Sequence, residues 1–226
     1  MKKNLVFFAL TTSCALALLI SVLFMFSDGG ERVEAAAPPS DISGSFAEKE
    51  ITYLVAAGLL DTENVDGKTF FYPEYEVTRE YFAKTVIKFI GADTSAYDSF
   101  ALEADDIDDI AEEFIPYIKA CVSSGLLPLY ESDGKKYFLP RDKITREEAA
   151  DVFGRLSNAV ISTTKSDMFS DISDTEKNYE HNFEKLIDLN IIIGYPDKTV
   201  KPKNILTREE LAVILYRIGT SKTFIS

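Results

Sequence analysis

The sequence predicts a mostly all-α fold of three helix-loop-helix repeats packed on one another, and two observations carry that expectation. The stretch from Phe71 to Glu80 returns from Phe138 to Glu147 and again from Val200 to Glu209. Each copy has an apolar residue, a proline two places on, and an aliphatic-Thr-Arg-Glu element five places after the proline at its threonine: Thr78, Thr145 and Thr207, 67 and 62 residues apart. In addition, apolar residues stand seven, four and three places before a glycine or asparagine in each copy, the spacing of one helix face. One helix pair buries too little surface to stand alone, so the three units are expected to pack together.

Taken in order, the chain opens with Lys2 and Lys3, an apolar run of 22 residues from Leu5 to Phe26, a polar stretch, and Ala35-Ala36-Ala37-Pro38. Residues 1–37 therefore read as an export signal or, because the run is long enough to cross a bilayer, as an uncleaved N-terminal membrane anchor. Both place residues 38–226 outside the cytoplasmic membrane. In unit one (41–92) the first helix carries Ile51, Leu54 and Val55 ahead of Gly58. In unit two (104–158) the matching residues are Ile118, Cys121 and Val122 ahead of Gly125, and in unit three (168–219) Phe183, Leu186 and Ile187 ahead of Asn190. Glycine and asparagine best tolerate the left-handed conformation that closes a helix. Loops with the turn-forming pairs Asp66-Gly67, Asp133-Gly134 and Asp197-Lys198 follow.

The second helices begin at Thr78, Thr145 and Thr207, each a helix cap. Glu148 and Glu210 complete capping boxes, whereas Tyr81 holds that place in unit one. Their apolar faces are Phe82, Val86, Phe89; Ala149, Val152, Phe153, Leu156; and Leu211, Ile214, Leu215, Ile218. Gly91, Gly154 and Gly219 mark their ends, unless Gly154 lies inside its helix. Asp41-Ile42, Asp106-Ile107 and Asp171-Ile172 form a lead-in to each unit, set at a different spacing from its glycine in unit one.

The net charge is −13, and residues 1–37 contain three basic and three acidic residues, so the exported part keeps that charge. Such a field argues against nucleic acid and anionic lipid as partners. Only Cys121 remains after Ala37, so no internal disulfide is available. With His181 as the single histidine and Cys121 the single exported cysteine, no multi-histidine or thiolate metal site is available, nothing marks His181 as part of a triad, and neither cofactor nor catalytic residue is expected. Asp105, Asp106, Asp108 and Asp109 lack the glycine and terminal glutamate of a calcium loop and read as a solvated face.

The arginines are less ordinary. Arg79, Arg146 and Arg208 place a positive charge at the positive end of a helix, a mildly unfavourable choice made three times. On one reading each pairs with its neighbouring glutamate or a carboxylate of the next unit. On the other, each arginine joins free backbone N–H groups at the helix start to hold an anion. Tyr53, Tyr72, Tyr75, Tyr130, Tyr137 and Tyr195 could stack on sugar rings.

The order Phe169-Ser170-Asp171-Ile172, a helix, Ile192-Ile193-Gly194-Tyr195-Pro196-Asp197, Pro202 and Leu206-Thr207-Arg208-Glu209-Glu210 resembles an S-layer homology repeat, and Gly58 to Glu80 and Gly125 to Glu148 are similar to it. The resemblance implies a pseudo-threefold helical assembly on a bacterial cell surface, attached non-covalently to secondary cell-wall polysaccharide that is anionic or pyruvylated. It further implies that Arg79, Arg146 and Arg208 hold a ligand carboxylate in grooves between repeats, with Thr78, Thr145 and Thr207 shaping the helix starts. The chain departs from the family in having no tryptophan, in carrying Glu80, Glu147 and Glu209 where a small residue is usual, and in having Tyr81 for the final glutamate. The function expected is thus a non-enzymatic cell-wall module. The alternative is a membrane-anchored module for binding another surface protein, with structural arginines.

Overall fold

The computed structural model describes residues 4–5, 37–160, 165–221 and 224. The expected leader, residues 1–37, lies outside them except for Asn4–Leu5 and Ala37. No helix among the described residues is long and apolar enough to cross a membrane.

Each repeat contributes two helices, and the fold is mostly helical. The first helices are α1 (Glu48–Ala56), α3 (Ile115–Ser123) and α5 (Lys177–Asp188); the second helices are α2 (Arg79–Ile90), α4 (Arg146–Leu156) and α6 (Arg208–Thr220). All three first helices stop in the same way. Gly58, Gly125 and Asn190 take φ of 70°, 70° and 56°. The following N–H groups, of Leu59, Leu126 and Ile191, then reach back to the carbonyls of Leu54, Cys121 and Leu186 at 2.9 Å. This left-handed closure satisfies carbonyls that a helix end otherwise leaves open. All three second helices start as expected, with the threonine hydroxyl accepting from the N–H three residues on and full capping boxes in α4 and α6. Gly154 lies inside α4, and Gly91 is the left-handed cap of α2.

Two of the expected loops are β-hairpins. Strands β2 (Glu63–Val65) and β3 (Lys68–Phe70) pair antiparallel around Asp66-Gly67, and β4 (Tyr130–Ser132) and β5 (Lys135–Tyr137) around Asp133-Gly134. Both turn residues have positive φ in each case, the geometry that matches strand twist in a two-residue hairpin. A two-residue strand β1 (Asn4–Leu5) pairs with β4. In unit three Lys198 alone turns left-handed, at φ 60°, and no strands form there.

The lead-in aspartates are clamps; of the four acidic residues expected to form a solvated face, Asp105, Asp108 and Asp109 are exposed and Asp106 is buried. Asp41 accepts the N–H groups of Phe71 and Tyr72 at 2.8 and 2.6 Å, Asp106 those of Phe138 and Leu139 at 2.9 and 2.7 Å, and Asp171 those of Val200 and Lys201 at 2.8 Å each. The second residue of each pair is left-handed, with φ of 56°, 58° and 49°. Strain of that kind costs on the order of 1–3 kcal/mol, and two hydrogen bonds to an ionised carboxylate offset it. Asp105 is likewise tied, to the Lys136 N–H. In units two and three the clamp leads into a 3₁₀ turn, Ile107–Asp109 and Ile172–Asp174; in unit one the left-handed Gly44 serves instead, which accounts for the shorter spacing there.

The described residues form two compact units, one built around Thr78–Lys143, the other running up to Val77 and on from Ile144. The first holds α2 against α3, with Phe82, Val86, Ile118, Cys121 and Phe138 fully buried. In the second, α4 packs on α5 and α6 on α1, around Phe71, Phe153, Phe183 and Leu215. The second helix of one repeat thus packs on the first helix of another. Within the second unit a ring of three backbone bonds links the three repeats: Val77 donates to Leu206 at 2.9 Å, Leu206 to Ile144 at 2.9 Å, and Ile144 to Val77 at 3.0 Å.

Candidate functional site

The helix starts carrying the three arginines have no backbone donors left for an anion. The first two N–H groups of α2, those of Arg79 and Glu80, donate to the carbonyls of Asp142 and Pro140. Those of α4 donate to Asn204 and Pro202, and those of α6 to Tyr75 and Pro73, while the threonine hydroxyl takes the third N–H in each. Expecting free N–H groups at these positions was incorrect, because the proline loop of another repeat saturates them. Any anion recognition here rests on guanidinium groups.

Each guanidinium turns away from its own helix into a loop of a different repeat. Arg79 donates through Nε to the Phe138 carbonyl at 2.8 Å, through Nη1 to the Tyr130 hydroxyl and through Nη2 to the Pro128 carbonyl, both at 3.1 Å. It is 2% exposed and lies over the rings of Tyr130 and Phe138. Arg208 donates to the carbonyls of Phe71 and Asp61 at 2.8 and 2.6 Å and lies over the Phe71 ring. Arg146 donates to the Val200 carbonyl at 2.9 Å, pairs through Nη1 with Glu210 at 3.2 Å, and faces the Tyr195 ring. The adjacent glutamate is not the partner of Arg146: Glu147 is buried against Lys203 at 2.6 Å and accepts the Glu176 N–H. Glu209 accepts from Ser45, and the Glu80 carboxyl is pushed up by burial, with Arg141 pulling it back down.

Arg146 also lines a groove of about 280 Å³ with Phe46, Tyr195, Glu210, Arg217 and the stretch Ile191 to Gly194. Gly194 is required there: at φ 78° any Cβ would meet the Phe169 ring at 2.4 Å. Glu210 is the junction of the groove. One oxygen takes the Thr207 N–H in the capping box; the other accepts the Tyr195 hydroxyl and pairs with Arg146. Burial pushes the Tyr195 phenol up to about 12; Arg146 opposes the shift and the Glu210 carboxylate adds to it. Arg217 donates to the Ile191 carbonyl at 2.9 Å, and its pKa is lowered by burial and by the Arg146 charge, with Glu50 opposing. The walls of the groove carry two guanidiniums and one carboxylate, with the Glu50 charge acting on Arg217 from outside the lining. Arg217 went unnoticed in the sequence, although Lys88, Arg155 and Arg217 all stand ten residues after their threonines.

Comparison with known proteins matches the S-layer homology domain at residues 105–150 and 169–212. The chain is 31% identical over 188 residues to the exoglucanase XynX of Acetivibrio thermocellus, and 32% identical over 195 residues to cell surface glycoprotein 1 of the same species. These stretches cover 78% and 79% of this chain but only 16% and 8% of the two relatives. The catalytic name of the first relative therefore does not transfer.

Proposed function

We propose, for a chain that carries two S-layer homology domains, that it attaches non-covalently to the bacterial cell wall by holding an anionic secondary wall polysaccharide in the Arg146 groove. The observation that carries this reading is the convergence of Arg146 and Arg217 on one groove. Like charges are brought together at a cost that an anion in the groove would offset. The apolar wall from Ile191 to Ile193 and the Tyr195 ring suit the carbon face of a sugar. Export through residues 1–37, a surface location and the absence of enzymatic activity belong to the same reading. So does a third S-layer homology unit over 41–92, where the left-handed glycine, the aspartate clamp and the threonine cap all recur.

One observation favours the alternative of structural arginines on a protein-binding module: Arg79 is 2% exposed and spends all three nitrogens on Pro128, Tyr130 and Phe138 of the second repeat. We therefore assign Arg79 a structural part and place recognition at Arg146 and Arg217, with Thr145 and Thr207 holding the helix starts beside them.

The test is co-sedimentation of residues 38–226 with purified wall sacculi before and after acid extraction of the secondary polymer. Binding is expected to disappear on extraction and to fall at least about tenfold in Arg217→Ala with helicity retained, the scale of losing one charge-assisted contact. Unchanged binding in both conditions would sink the polymer reading.

A further inference from the structure

A second groove in the same unit has the opposite chemistry. It measures about 510 Å³ and is lined by Asp41, Glu74 and Glu209 together with Phe46, Tyr72 and Tyr75, with no lysine or arginine on its walls. The rings of Tyr72 and Tyr75 are stacked, with centroids 4.7 Å apart and planes 16° apart, and Phe70 continues the stack behind Tyr72 at 5.8 Å. Tyr75 is 62% and Phe46 68% exposed.

The backbone turn that carries these rings does not require tyrosine. The turn that stacks them is closed by the Tyr75 N–H donating to the Tyr72 carbonyl at 3.1 Å, and it recurs with the same bond between Asp142 and Leu139 and between Asn204 and Lys201. The left-handed residue and the aspartate clamp recur as well. Two repeats therefore build the same backbone with Leu and Asp, or Lys and Asn. Unit one alone spends two tyrosines on it: Tyr72 is half-buried between Phe70 and Tyr75, and Tyr75 presents its outer face to water. Exposed aromatic rings in a groove mark a place where something binds.

We propose that the Tyr72–Tyr75 groove binds a saccharide residue bearing a free amino group. The flat carbon face of a pyranose lies against a tyrosine ring, and an ammonium group is attracted by ring faces. Three carboxylates favour that cation and repel the anionic residues that suit the Arg146 groove. Asp41 already takes two backbone N–H groups and Glu209 the Ser45 hydroxyl, so both are fixed in place, and Glu74 stands beside the exposed Tyr75 ring. Phe46 lines both grooves, so a polymer with an amino sugar next to an acidic one could lie along the two in succession.

This inference stands apart from the polymer reading, and its test contains no wall material. The full exported chain is titrated with a glucosamine tetramer and with its N-acetylated counterpart, read by saturation-transfer NMR on the sugar and by tyrosine emission, which no tryptophan obscures. The free amine is expected to bind at least about tenfold more tightly than the acetylated tetramer, Tyr75→Ala to weaken it by a similar factor, and Tyr75→Phe to restore it. Equal affinity for the two tetramers overturns the proposal. So does binding that survives Tyr75→Ala, which would be the general attraction of a cation to an acidic protein. Tetramer binding without sacculus binding would sink the polymer reading alone, and the reverse would sink this one alone.

Discussion

Glu210 ties the Arg146 groove to the start of a helix. Its carboxylate closes the capping box of α6, accepts the Tyr195 hydroxyl and neutralises Arg146, so the groove cannot be rearranged without disturbing a helix start. The same coupling is visible in Tyr195. Its phenol is pushed up to about 12 by burial first, then by the Glu210 bond and charge, against the opposing Arg146 charge. An unfolded tyrosine loses its proton near pH 10, so between roughly pH 10 and 12 the folded chain binds more protons than the unfolded one. The stabilisation from this residue should therefore be fully present and independent of pH below that window, and be lost as pH rises through it. Urea midpoints followed from pH 9 to 11.5 should decline more steeply in the wild type than in Tyr195→Phe. Parallel curves would mean that the phenol ionises in the fold as it does in water.

At the scale of elements, the contact of α4 with α5 is set by a missing side chain. A Cβ at Gly154 would lie 2.6 Å from the Asn182 Cβ and 3.0 Å from its Cα, and a backbone atom cannot step aside. Lys185 fixes the same crossing by donating to the carbonyls of Gly154 and Ser157 at 3.1 and 2.6 Å. Gly154→Ala should therefore destabilise by about 1–3 kcal/mol despite the better helix propensity of alanine, the range for overpacked cores. A urea midpoint equal to or above that of the wild type would show that the helices can separate freely. Gly154 also marks the limit of what sequence can disclose. Helix starts at Thr78, Thr145 and Thr207 and helix stops at Gly58, Gly125 and Asn190 were legible because cap and capped group lie within five residues of each other. The hairpins were read as loops with turns because strands of three residues, such as Lys68–Phe70, are too short to show alternation. The partners of Gly154 and of the aspartate clamps lie about 30 residues away, and those of Arg208 lie 137 and 147 away. The recurrence of those residues was visible; what they touch was not. The groove was half legible for that reason: Arg146 and Tyr195 belong to recurring positions, but only the fold brings Arg217 to them.

For the whole molecule, the consequence of pairing helices across repeats is that stability is not shared out one repeat at a time. α1 finds its partner in α6 and α4 in α5, so both depend on unit three, and the backbone ring through Val77 and Ile144 needs Leu206 to close. Arg146 likewise depends on the Val200 carbonyl and on Glu210. By contrast, α2 and α3 partner each other inside Thr78–Lys143, and Arg79 meets Pro128, Tyr130 and Phe138 in that same segment. A chain shortened to residues 38–158 keeps two complete repeats in sequence but only one complete helix pair in space. Amide hydrogen exchange on it should show protection confined to 79–90 and 115–123, with α1 and α4 exchanging at least about a hundredfold faster than in the full chain, the scale of losing a few kcal/mol of local stability. Equal protection of all four helices would mean that each repeat folds by itself, and the pairing across repeats would then be an arrangement of finished units rather than the source of their stability.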